Sequence, residues 1–133
     1  MADLITITQQ PIRLSVANGA AQRQAIYLAV DCGSYDVLDL QLTVVAVEGT
    51  SPSIKINVVT GMQIQTEDGW VVAGSFNAGG AITTSNNTYL LTIGNDASGS
   101  ASLLRYLRWD VTAFSGTSAF ATFWIRGMAR KLA

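Results

Sequence analysis

The chain has 133 residues and no histidine, only 13% of its residues are charged, and its net charge is −1 at pH 7. Its single cysteine, Cys32, excludes an internal disulfide. Without histidine or a second cysteine, the usual zinc ligands and the usual general base are missing. The balanced charge gives no long-range attraction to nucleic acid or anionic membranes. The length fits one domain, residues 1–133.

The predicted elements are short strands, because apolar and polar residues alternate in runs that end at Gly, Ser, Asn or Asp. Residues 4–8 and 11–16 are predicted to form an opening pair of strands. A third strand is predicted at 24–30. The clearest strand is residues 37–47, and a loop at 48–53 joins it to a second strand at 54–58 as one hairpin.

The second half of the chain shows the same alternation. A turn at 66–69 precedes a strand at 70–76, another strand is predicted at 88–93, and residues 94–100 are predicted to be a mobile surface loop. A final hairpin joins 103–112 to 119–128 through a turn at 115–117. Eight or nine strands without crossover helices predict an all-β, single-domain, antiparallel two-sheet β-sandwich, with a jelly roll as a plausible topology.

The last predicted strand is apolar on both faces. Phe123 lies on one face, while Phe120 and Trp124 lie on the other beside Arg126. A second sheet or a neighbouring subunit is therefore expected to cover the Phe120 and Trp124 side. The low charge density of the chain also favours a homo-oligomer. A neutral surface of Ser, Thr, Asn and Gly would be an alternative explanation.

No catalytic or metal-binding constellation is predicted. Two carboxylates alone can hydrolyse glycosidic bonds, but Glu48, Glu67 and Asp68 lie in predicted turns, where acidic residues are common. The loop residues Asn95, Asp96 and Ser98 match a calcium site only weakly. We therefore expect no enzymatic activity, no cofactor and no metal.

Exposed aromatic rings on a β-sandwich can stack on sugars, so a carbohydrate-binding module is an alternative function. Its candidate residues are Trp70, Trp109, Trp124, Tyr35 and Tyr89. Trp109 shares a face with Leu107 and Val111 and is expected in the core, while Trp124 is expected to anchor an interface.

Four segments, residues 38–61, 66–70, 103–109 and 118–130, resemble a group of small bacteriophage virion proteins. The shared order is a strand, an EGTSP-like loop, a strand, an EDGW-like turn, an LRYLRW-like strand, a Gly-rich turn and a closing strand. The resemblance implies a capsid decoration (cement) protein, often trimeric, that binds the major capsid protein. A tail-associated virion protein is an alternative.

That role would place the protein in the virion after synthesis in the host cytoplasm. Residues 1–10 lack the basic start and apolar stretch of a secretory signal, and no apolar run reaches the length of a membrane span. The interface is predicted to include Phe120, Trp124 and Arg126, together with Ile5 and Ile12. Residues 1–11 are considered as an extended arm that reaches along a neighbouring subunit.

Overall fold

The computed structural model describes residues 2–94 and 103–131, and this part of the chain is all-β. Two single turns of 3-10 helix, Val16–Asn18 and Ile26–Leu28, lie between described strands, and Phe76–Gly79 is a turn in which Asn77 and Ala78 have positive φ. None of the described helices is long and apolar enough to cross a membrane. The strands are β1 (Ala2–Thr6), β2 (Ile12–Ser15), β3 (Gln22–Arg23), β4 (Val30–Asp31), β5 (Val37–Gly61), β6 (Val71–Ser75), β7 (Asn87–Gly94) and β8 (Tyr106–Arg130).

Two strands of 25 residues each, β5 and β8, organise the fold. They pair antiparallel along their whole length, from Val37 opposite Arg130 to Gly61 opposite Tyr106. The other edge of β8 pairs with β1, β2, β3 and β4, and the other edge of β5 pairs with β7 and β6. Every other described strand is thus attached to one of these two.

The long strand β8 bends back on itself. The rings of Trp109 and Phe123 meet edge to face with centroids 5.8 Å apart. A straight strand would separate residues fourteen positions apart by about 46 Å. The continuous antiparallel sheet is therefore folded into two packed layers, which confirms the predicted β-sandwich.

We name the two layers by their strands. The front layer contains β1, β2, the carboxyl-terminal half of β8, the amino-terminal half of β5, and β7. The back layer contains β3, β4, the amino-terminal half of β8, the carboxyl-terminal half of β5, and β6. Each long strand thus contributes one half to each layer.

The bend has a local cause in both long strands. Gly49 and Ser51 in β5, and Gly116 and Ser118 in β8, have φ values of 120°, 51°, 127° and 51°. The register between the strands shifts between Glu48 and Thr50 and again before Ser53. Such irregularities bend a strand and increase its twist, and glycine adopts positive φ without steric cost.

The space between the layers is filled by the inward-facing residues of the alternating segments. Trp109 packs there, as predicted, and Cys32 is buried. Burial of this apolar surface is the dominant favourable term in folding. The core includes Leu38, Leu40, Leu42, Val44, Ile54, Ile56, Val58, Phe76, Ile82, Ile93, Leu107, Val111, Phe114, Phe123 and Ile125.

Both predicted long hairpins are wrong. The polar segments 48–53 and 115–117 were expected to be turns, but each lies within a single strand, at the bend of β5 or β8. The two halves of β5 therefore do not pair with each other, and neither do the two halves of β8. Each half instead pairs with the corresponding half of the other long strand.

The amino-terminal predictions also need correction. Strands β1 and β2 do not pair with each other, because both lie along β8. The described part of residues 1–11 is therefore not a free arm, since Ala2–Thr6 is hydrogen-bonded to β8 of its own chain. The strand predicted at 24–30 is interrupted by the 3-10 turn Ile26–Leu28, and only its last residue enters β4.

Strands β6 and β7 match the predictions for 70–76 and 88–93 closely. The predicted loop 94–100 lies, apart from Gly94, outside the described residues, and so do Asn95, Asp96 and Ser98.

Candidate interaction face and groove

The outward side of the front layer carries exposed apolar side chains from three strands. Leu4 of β1 is 71% exposed and lies opposite Met128 of β8, which is 41% exposed. On β7, Leu90 is 78% exposed. Phe120 and Trp124 of β8 are partly buried and lie on the same side, because their positions alternate along β8 with those of the buried Ala121, Phe123 and Ile125. We call Leu4, Leu90, Phe120, Trp124 and Met128 the front face.

Arginine side chains of the same chain cover the two large rings of the front face. The Arg126 guanidinium lies 4.0 Å from the centroid of the Trp124 ring, and Arg13 lies at the same distance from Phe120. Arg13 also approaches Glu48, with 3.5 Å between nitrogen and oxygen. These cation–π contacts partly cover Phe120 and Trp124. The second layer, which was one of the two predicted covers, packs instead against the opposite side of β8, at Phe123 and Ile125.

The indole nitrogen of Trp124 is buried and has no hydrogen-bond partner in the described part of the chain. A buried donor without an acceptor costs about 1–3 kcal/mol. Trp124 therefore holds a polar group that residues 2–94 and 103–131 leave unsatisfied.

Two predicted interface residues face the opposite way. Ile5 lies opposite Gly127 and belongs to the hydrophobic core, and Ile12 lies opposite Phe123 and packs against that core. Both side chains point between the layers, so their assignment to an interface is corrected. Phe120, Trp124 and Arg126 remain together on the outward side.

A buried arginine fastens the loop after β5 to the outward side of the back layer. Arg108 is only 2% exposed, and it donates Nε and Nη2 to the backbone oxygen of Gln24. Nη1 and Nη2 also donate to the two carboxylate oxygens of Glu67, at 2.8 and 3.0 Å. The ring of Trp70 lies 4.8 Å from the same guanidinium. We call Gln24, Glu67, Trp70 and Arg108 the arginine clamp.

Two of the three candidate carboxylates, Glu67 and Glu48, have an arginine partner. The hydrogen bond from Arg108 is the main cause that lowers the pKa of Glu67 from its usual value of 4.5. Glu48 is bound to Arg13 on the front layer, so the structure assigns these two carboxylates to different arginines in different layers. Asp68 is exposed in the turn. No group of three or more His, Cys, Asp or Glu that would suit a metal occurs within residues 2–94 and 103–131.

The five aromatic residues considered for sugar binding are not brought together. Trp70 packs over Gly61 and Arg108 on the back layer, and Trp124 lies on the front face. Tyr35 donates its hydroxyl to Asp3, which raises the pKa of Tyr35. Tyr89 is partly buried and packs against the core, and Trp109 belongs to the core.

A groove of about 860 Å³ opens where the two layers meet along the outer edge of β8. One wall is the connection from β1 to β2, including Gln9 and Gln10, and the other is the connection from β3 to β4, including Tyr27 and Leu28. Trp109 lies at its floor. Sequence patterns did not indicate this groove, because it forms where both connections leave the β8 ladder.

Gln24 fixes the floor of the groove. Its side-chain nitrogen donates to Ile7 of the front layer at 2.8 Å and to Leu28 at 3.4 Å. Its side-chain oxygen accepts from the Trp109 backbone at 3.2 Å. The residue was missed in the sequence, where an isolated glutamine carries no signal of such a role.

Comparisons of the chain with protein-family models, with curated proteins and with solved structures give no match.

Proposed function

We propose that this protein is a non-enzymatic structural component of a bacteriophage particle that binds the capsid surface as a decoration protein. The carrying observation is the front face, which combines the exposed Leu4, Leu90 and Met128 with two arginine-covered aromatic rings. Exposed apolar groups on one face favour protein interaction, and aromatic and arginine side chains are enriched at interface centres. The resemblance of residues 38–61, 66–70, 103–109 and 118–130 to small virion proteins supplies the phage assignment.

Trp124 is the proposed anchor of that interface. A partner that displaces Arg126 and offers an acceptor to the indole nitrogen would remove the cost of an unsatisfied buried donor. The ion pairs of Arg13 with Glu48 and Arg130 with Asp39 leave little net charge on this side of the front layer. A largely neutral surface with aromatic anchors suits permanent contact with other protein.

We also propose that the strand connectivity is that of a jelly roll. Each long strand counts as two segments, divided at its bend. With β1 and β2 as the first segment and β3 and β4 as the second, the halves of β5 are the third and fourth. Strands β6 and β7 are then the fifth and sixth, and the halves of β8 are the seventh and eighth. The first pairs with the eighth, the second with the seventh, the third with the sixth and the fourth with the fifth. A long antiparallel strand pair folded in this way has the topology of a jelly roll. Jelly rolls occur in viral capsid proteins and lectins.

The first test is the mass of the protein in solution, measured by light scattering after size exclusion. A stable mass of three 14.1 kDa chains is expected if the protein is a trimeric decoration protein. The second test is binding to undecorated capsids, which we expect Trp124→Ala to weaken at least tenfold. Val72→Ala, at an exposed position of the back layer, is the control. Unchanged assembly and capsid binding by Trp124→Ala would refute the front face as the interface.

A further inference from the structure

We propose that the groove between the two layers is a binding site for an uncharged saccharide, separate from the front face. The lining supplies apolar and polar groups but no charged side chain. Its volume of about 860 Å³ is within the range of small-molecule sites, about 300–1,000 Å³. The lining combines the amide side chains of Gln9, Gln10 and Gln24 with the rings of Tyr27 and Trp109.

The side chains at the rim are available to a ligand. Tyr27 is 78% exposed although it is a large aromatic residue, and Gln9 and Gln10 are also exposed. None of these three side chains makes a hydrogen bond within the described part of the chain. The sandwich gains little from an aromatic ring held in solvent, whereas a sugar ring can stack on it through its C–H groups.

Hydrogen bonds hold the floor of the groove in place, while the rim side chains are exposed to solvent. Gln24 ties Ile7 to the Trp109 backbone, and Arg108 in turn holds the backbone oxygen of Gln24. The site is thus built before a ligand arrives, which lowers the entropic cost of binding. The backbone of Gln9 and Gln10 lies between the β1 and β2 ladders, outside the sheet hydrogen bonding.

Saccharide chemistry fits these groups better than other ligands. Amide side chains and peptide groups exchange hydrogen bonds with hydroxyls, and an aromatic ring covers the apolar side of a sugar. A phosphate or a carboxylate would find no cation in the lining, and an acidic or sulfated sugar would lose its hydration without compensation. The ligand class is therefore a neutral oligosaccharide of a few rings.

The test is isothermal titration of the full chain with neutral hexasaccharides of glucose and of N-acetylglucosamine, beside a hexamer of galacturonate. We expect at least one neutral probe to bind with a Kd of about 1 mM or tighter, and the charged hexamer to bind at least tenfold more weakly. Tyr27→Ala should weaken binding about tenfold. Leu90→Ala is the matched control, because Leu90 has the same 78% exposure but lies on the front face.

Three results would overturn the proposal. The first is that no neutral saccharide binds at millimolar concentration. The second is that Tyr27→Ala and Leu90→Ala bind equally well, and the third is that an uncharged peptide binds in place of every saccharide. A circular dichroism spectrum and thermal midpoint equal to those of the unmodified chain check that each variant is folded. Because Trp124 lies outside the groove, failure of capsid binding and failure of sugar binding can be distinguished.

Discussion

Gly49 and Ala119 pass so close that a side-chain carbon on Gly49 would lie 2.8 Å from the Cα of Ala119. The same carbon would lie 2.9 Å from the carbonyl oxygen of Thr117. At the bend, Gly49 thus lies directly against the backbone of β8. A side-chain carbon on Gly116 would likewise lie 2.9 Å from the Cα of Pro52 in β5. A side chain on either glycine would therefore clash with the other long strand at the bend.

We therefore predict that Gly49→Ala lowers the free energy of unfolding by about 2–4 kcal/mol, since it combines a positive φ with a clash against backbone. Urea unfolding measures the effect. Gly69→Ala is the control: Gly69 has a φ of 80°, but an added side-chain carbon would meet no atom within 4 Å. It should lose only about 1 kcal/mol. Equal losses of stability in the two variants would show that the close approach of β5 and β8 at Gly49 does not contribute to the effect.

Removal of the buried Arg108 guanidinium in the arginine clamp should destabilise the folded protein. Arg108→Met leaves the Gln24 oxygen without its donors and removes the contact with Trp70, so we expect a loss of about 2–4 kcal/mol in the free energy of unfolding. Arg105→Met breaks an ion pair with Asp31 whose side chains are 56% and 53% exposed. That control should change stability far less, because water screens an exposed ion pair. A loss as small for Arg108→Met would contradict the clamp.

The clamp also predicts a pH dependence. The pKa of Glu67 is lower in the folded chain than its usual 4.5, so its contribution to stability is present above that pH and is lost as pH falls through the folded value. Because the Glu67 side chain is 62% exposed, water screens the pair and the contribution is about 1 kcal/mol at most.

Glu67→Gln is the variant that isolates this contribution. Denaturant unfolding of both proteins from pH 7 to pH 3 should show a stability difference that shrinks towards acid pH. The difference should also shrink in high salt, which screens exposed charges. A difference that is constant across this range would mean that the carboxylate charge does not contribute.

The thiol of Cys32 should be unreactive in the folded protein. Burial is the main cause that raises its pKa to about 12, and the charge of Asp31 adds to the effect. At pH 8 almost no thiolate is present, so we expect an aromatic disulfide reagent to react with Cys32 at least a hundredfold more slowly in the native protein than in urea. Rapid native labelling would show that the segment around Cys32 opens readily.

The sequence predicts the layers of this fold better than its connections. Alternation from Leu38 to Val44 and from Ala121 to Ile125 identifies inward positions, because period-2 burial is local information. Polar, glycine-containing segments at 48–53 and 115–117 look the same whether a chain reverses or a strand bends. Only the partner strand distinguishes the two, and that partner lies far away in sequence.

The candidate sites show the same limit. Outward placement of Phe120, Trp124 and Arg126 follows from alternation, and the structure agrees. The inward placement of Ile5 and Ile12 depends on pairing with β8, which no local pattern predicts. The buried Arg108 was unexpected because its cover, the turn that holds Glu67 and Trp70, comes from 38 or more positions earlier in the chain.

The pairing of β8 with β1, β2, β3, β4 and β5 also sets an order for folding. β8 is the last of the described strands to be synthesised, and strands β1 to β4 have no other described partner. Until residues 106–130 are available, strands β1 to β4 have no described strand to pair with. The entropic cost of closing long loops comes before the stabilisation from burial. Folding should therefore be slow and highly cooperative, with both layers forming together once the last strand enters the sheet.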